Sequence, residues 1–85
     1  MKTLNILIAD DHPFIIEAYN NTLNSYSEKY QMNVTNVGSC KEAYETLYQS
    51  DVMNYDIAFL DVSMPAYEEK NILSGEDVAK IIRNK

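Results

Sequence analysis

Two short apolar runs, residues 4–9 and 55–60, each stop abruptly at aspartate, and this repeated pattern constrains the chain more than any other feature. The first runs from Leu4 to Ala9 with one polar interruption and ends in Asp10-Asp11; the second ends at Leu60, before Asp61. Runs this short, nearly continuous in apolar residues, read as strands buried on both faces, which is the mark of a parallel sheet covered by helices. The segments between them have helical and β character in turn. Pro13 suits the first turn of a helix capped by Asp11 or His12, and Ile15, Ala18, Tyr19, Thr22, Leu23 and Tyr26 then recur with the spacing of one helical face.

A polar connection over 25–31 leads to residues 32–37, whose β-branched, roughly alternating character predicts a second strand nearer a sheet edge. Gly38 breaks that strand. Ser39-Cys40-Lys41-Glu42 has the form of a capping box, and Cys40, Ala43, Tyr44 and Leu47 carry the helix it opens. Residues 49–54 read as a loop. A last helix follows a polar stretch over 66–73, capped by Ser74 to Asp77 and extending over 77–83, with Val78, Ile81 and Ile82 as its apolar face and Lys80 and Arg83 near its C-terminal end. The order is β-α-β-α-β-α. Such alternation predicts an α/β domain with right-handed crossovers, a parallel sheet and helices on both faces.

In an open sheet of this kind, ligands bind at the carboxyl ends of the strands, where the strand order reverses. If strands one and three are neighbours, Asp10, Asp11 and Asp61 meet there. Three clustered carboxylates raise one another's pKa unless a cation joins them, and an all-oxygen donor set suits Mg²⁺ together with phosphate oxygens. The bland alternative, acids that only cap helices and turns, leaves the repetition at two strand ends unexplained. His12 reads as a solvated first-turn residue in preference to a metal ligand, and Cys40 as a small core residue, with no basic neighbour to activate it.

Composition excludes several classes. At 85 residues the chain makes one small domain, and 46% hydrophobic residues with two Gly and two Pro are globular, not disordered. A net charge of −6 argues against a nucleic-acid-binding surface. One cysteine forms no internal disulfide, no targeting segment is visible, and no stretch reaches the ~20 apolar residues of a membrane span. A soluble cytoplasmic protein is expected.

Asp10-Asp11 after strand one, Asp61 after strand three and Met64-Pro65 shortly beyond it together resemble the receiver domain of two-component response regulators. Asp10-Asp11-His12-Pro13 resembles in particular the subfamily that pairs a receiver with a LuxR- or NarL-type DNA-binding output domain. The resemblance spans the chain and implies a flavodoxin-like doubly wound sheet of order 2-1-3-4-5, of which residues 1–85 hold the first three βα units, the N-terminal part of a single receiver domain. It implies Asp61 as acceptor of a phosphoryl group from a sensor histidine kinase, and Mg²⁺ (or Mn²⁺) held by Asp10, Asp11, Asp61 and the backbone carbonyl of Ser63. It implies a signalling domain and not an enzyme.

Two departures from the family pattern are visible. The glycine expected soon after Met64-Pro65 is delayed to Gly75 by an insertion over 66–73, whose Glu68 and Glu69 read as a solvated loop in preference to a gate over the site. The family's hydroxyl residue on strand four and lysine on strand five have no counterpart, so strand three, counted through Val62, is expected as an apolar edge prone to self-association. A pseudo-receiver, binding partners without phosphorylation, is the alternative; it would be expected to have lost some of the acids. A haloacid dehalogenase-type phosphotransferase needs D-x-D after strand one, which Asp10-Asp11-His12 does not supply.

Overall fold

The structure, a computed structural model, describes residues 2–49 and 55–84. Strand β1 (Lys2–Ala9) is followed by helix α1 (Pro13–Asn24), strand β2 (Tyr30–Val37), helix α2 (Cys40–Gln49), strand β3 (Ile57–Leu60), a single 3₁₀ turn (Glu68–Lys70) and helix α3 (Gly75–Arg83). The three strands form one parallel sheet in the order β2-β1-β3. This is the α/β arrangement expected from the alternation, with the 2-1-3 part of the flavodoxin-like order. The expected loop over 49–54 lies, past Gln49, outside the described residues.

β1 is the centre. Ile6, Leu7, Ile8 and Ala9 have no exposed surface, because neighbours flank the strand on both edges and helices cover both faces. Leu7 and Ala9 point to the main core, which they share with Val37, Cys40, Ala43, Leu47, Met64, Ile72 and Val78 from the α2 and α3 side. Ile6 and Ile8 alternate to the opposite face. There α1 packs, with Tyr19 stacked on Phe59 at 4.6 Å between ring centroids. Asn5, the one polar residue of the first run, is satisfied in the sheet: its N–H donates to Asp56 Oδ2 at 2.8 Å and its side-chain oxygen accepts from Asn33 Nδ2 at 3.2 Å. Among the described residues, no helix is long and apolar enough to cross a membrane.

Several expectations shift. β1 and β2 start earlier than the apolar pattern indicated, because the ladder continues down to Lys2 opposite Tyr30. β3 is shorter than 55–60 and is not buried on both faces: Ile57 and Ala58 are exposed, since β3 lies at an edge of this sheet. The expected face of α1 is turned by about one residue. Ile16, Tyr19 and Leu23 are half-buried, while Ile15, Ala18 and Tyr26 are exposed and no residue of α1 is fully buried. Adjacent apolar residues at 14, 15 and 16 fit more than one helical phase, and only the position of the sheet selects between them.

Candidate metal and phosphoacceptor site

The last rungs of the two ladders carry the acids. The Asp10 N–H donates to Val37 O at 3.0 Å and the Asp61 N–H to Ala9 O at 2.8 Å, so Asp10 and Asp61 extend β1 and β3 just past their final paired residues. Asp10 is buried, Asp61 half-buried and Asp11 exposed. One ligand atom from each of Asp10, Asp11, Asp61 and His12 lies within 4.8 Å of all the others. The three acids expected at the strand ends are thus together.

His12 stands exposed at the start of α1, as expected, but its ring turns toward the acids. It is the N-cap of α1 and its side chain is 61% exposed, yet the ring is not simply solvated. Nδ1 stands 2.7 Å from Asp10 Oδ1, 3.0 Å from Asp11 Oδ1 and 3.4 Å from Asp61 Oδ2. The backbone fixes this placement. The His12 N–H donates to Asp10 Oδ1 at 2.9 Å, its carbonyl accepts from Ile15 and Ile16 N–H, and Pro13 sets the first turn of the helix.

The charges respond as they must. Burial alone would raise the Asp10 carboxyl, but the hydrogen bonds and charge of His12 hold it below the ordinary carboxylate value. The Asp10 hydrogen bond, then the Asp11 charge, push the His12 imidazole above its ordinary value, and Asp61 adds a smaller push. Mutual raising among the acids, expected from the sequence, is therefore not what Asp10 shows. The reason is the imidazole between them.

Asp61 has two distinct oxygens. Oδ1 accepts the Ser63 N–H at 3.1 Å, whereas Oδ2, turned toward His12, is buried without a hydrogen bond. A buried carboxylate oxygen without a hydrogen bond is costly unless a cation sits against it. The donor set fits a hard divalent ion.

Met64-Pro65 and the insertion hold the other side. Met64 is buried in the core and the Pro65 carbonyl accepts the Cys40 N–H at 2.9 Å, capping the start of α2. The Ser39 half of the capping box forms, with Glu42 N–H donating to Ser39 Oγ at 3.1 Å, while Glu42 Oε2 accepts from the Gly38 N–H at 3.4 Å, one residue before the cap. At α3 only half of the cap forms. Asp77 Oδ2 accepts the Leu73 N–H at 2.9 Å, but Ser74 makes no side-chain capping bond, and the helix begins at Gly75 instead of Asp77. Residues 66–73 close on themselves through a Tyr67–Ile72 bridge, with Asn71 in the left-handed region at φ 57°. Glu68 and Glu69 are exposed on this loop. Tyr67 packs edge-on against Tyr44 of α2 at 5.7 Å, so the loop is clasped to that helix.

Gly75 was noted in the sequence only as a displaced glycine. A Cβ there would stand 2.2 Å from the Asp61 carbonyl oxygen, so α3 approaches the site backbone closer than any other residue type permits. Cys40 is buried, and burial pushes its thiol up, as a core residue requires.

A search of curated proteins finds no match to this chain. Among solved structures, a chain from the crystal structure of histidine kinase ThkA in complex with response regulator protein TrrA is similar, at 33% identity and a TM-score of 0.62. The match covers 100% of this chain and 60% of that one, so the present chain spans less than two thirds of the solved chain's length. The family profile described as the response regulator receiver domain matches residues 6–85. With its β2-β1-β3 sheet and its acids at the strand ends, this chain belongs to the response regulator receiver domain family.

Proposed function

We propose that this receiver accepts a phosphoryl group on Asp61 from a sensor histidine kinase and relays the signal to a DNA-binding output domain of the LuxR or NarL type. Asp61 carries the reading: it ends β3 beside Asp10 and Asp11, with one carboxylate oxygen tied to Ser63 N–H and the other buried without a hydrogen bond. The solved relative comes from a complex with a histidine kinase, which supports that class of donor. Asp10-Asp11-His12-Pro13 supports the output subtype and, with it, a role in transcription in the cytoplasm.

Receiver domains bind Mg²⁺. Asp10, Asp11, Asp61 Oδ2 and the Ser63 carbonyl are assigned to hold the ion, or Mn²⁺ in its place. When bound, Mg²⁺ neutralises charge on the phosphoryl group. The chain's own contribution is the nucleophile. Asp61 Oδ1, oriented by Ser63 N–H, attacks phosphorus in line; the bond from phosphorus to the donor nitrogen breaks, and its electron pair stays on the donor imidazole. The acyl phosphate left on Asp61 adds roughly −1.5 to −2 charge at the strand end.

Labelling with a small acyl-phosphate donor or a kinase tests the assignment. Asp61→Asn is expected to abolish labelling while the circular dichroism spectrum stays unchanged. Acid-labile phosphate persisting on that variant would place the nucleophile elsewhere.

A further inference from the structure

We infer that His12 is a fourth side-chain ligand of the divalent-cation site, through Nδ1, and that it moves the site's preference from Mg²⁺ toward ions that accept nitrogen, such as Co²⁺ and Zn²⁺. The inference rests on the cation site proposed above and adds to it a ligand of a different chemical class.

Nδ1 makes one hydrogen bond, with Asp10 Oδ1, yet faces more carboxylates than one hydrogen bond can serve. A ring nitrogen carries either one proton or one lone pair, so it serves one acceptor well. Here three carboxylate oxygens from three residues surround it at 2.7, 3.0 and 3.4 Å. Adjacent ligands of an octahedral ion with bonds of about 2.1 Å lie about 3.0 Å apart. The three distances bracket that value. Asp61 Oδ2 adds a separate indication, because it is buried beside the ring and takes no hydrogen bond from it. A cation among these four atoms would satisfy that oxygen and the other donors together.

The ring is not used by the helix it precedes. It makes no side-chain cap for α1, although His12 stands at the N-cap, and its backbone is held on both sides. Ligation exchanges the Nδ1 proton for the cation. That proton leaves to solvent, Nε2 keeps its own, and the exposed ring lets water accept it. Imidazole suits borderline ions, whereas carboxylate and water suit Mg²⁺, so one nitrogen among oxygens changes the ranking of ions and not only the affinity.

Calorimetric titration of the chain with Mg²⁺ and with Co²⁺ tests this, using wild type, His12→Gln and Asp11→Asn. His12→Gln is expected to weaken Co²⁺ about tenfold or more while changing Mg²⁺ by less than about twofold. Since His12 is the only histidine in the sequence, pulsed electron paramagnetic resonance of bound Mn²⁺ should show imidazole nitrogen coupling in wild type and none in His12→Gln. An equal change for both ions, or absent nitrogen coupling in wild type, overturns the inference. Tighter binding of every ion by His12→Gln also overturns it and makes the ring a competitor of the cation. Failure of the underlying site reads differently: Asp11→Asn would then bind as well as wild type, whatever His12 does.

Discussion

At the scale of the residue, the site is governed by how three carboxylates share one strand end. In chelated buffer the imidazolium of His12 offsets their repulsion, and its titration reports that role. As the sole histidine, it gives one resolvable ring signal, whose midpoint is expected above the ordinary value of about 6.5. Asp11→Asn should lower it. A group raised in the folded state contributes stability that is complete below its unfolded pKa and is lost as pH rises through the folded one. The metal-free thermal midpoint of wild type should therefore fall over that interval, and that of His12→Gln should stay flat.

Gly75 makes a second prediction at this scale. Its alanine variant must displace the Asp61 carbonyl, because the two atoms would lie 2.2 Å apart. A loss of about 1–3 kcal/mol in unfolding free energy is expected, with weaker cation binding, both measurable by urea denaturation and calorimetry. The acids were legible in the sequence because a carboxylate ending a buried strand is a local signal. His12 was not, because nothing in Asp-Asp-His-Pro says which way the ring turns once Pro13 starts the helix. Gly75 was hidden for another reason: the insertion conceals that the chain returns to Asp61.

At the scale of the element, caps and the central strand were readable and the edges were not. The Ser39–Glu42 box is local, so its spacing was sufficient to place the start of α2. The phase of α1 and the length of β3 depend on neighbours that local periodicity does not contain. For residues 66–73 the sequence reads as a solvated polar loop in preference to a gate, and Glu68 and Glu69 are indeed exposed, but the way the loop is held does not show in its pattern. The loop forms its own bridge and lies on α2, with Lys41 and Lys70 stacked over Tyr67 and Tyr44 at 5.9 and 5.7 Å. Tyr67→Ala should accordingly cost about 2 kcal/mol of stability, from a half-buried ring and its aromatic contact. Mg²⁺ affinity should change by less than about twofold, since the clasp lies on the helix. A large change in affinity with little loss of stability would give the loop a gating role.

At the scale of the whole molecule, the exposed large apolar residues include Phe14 and Ile15 at the start of α1 and Ile57 and Val62 in and just after β3. Phe14 is 84% exposed, Val62 57% and Ile57 40%. Among the described residues β3 pairs with β1 alone, which leaves its other edge free to pair with a second copy. Sedimentation of the 85-residue chain at micromolar concentration should show reversible dimers, and Ile57→Lys should return it to monomer. A monomer at all concentrations would refute the edge argument.

The two hydrogen bonds that carry Asp10 and Asp61 past the last paired residues also set when the site comes into being. Asp61 reaches Ala9 only after a parallel pairing that spans most of the chain has closed, and such long-range closure is the slow part of folding. The acids are therefore expected to meet late, and their repulsion to be felt late. A divalent ion therefore has little to hold in the transition state and much to hold in the native state. Added Mg²⁺ should leave the refolding limb of a chevron plot nearly unmoved and displace the unfolding limb downward. The cation would act as a latch on a door already shut, lengthening the life of the fold without hastening its arrival.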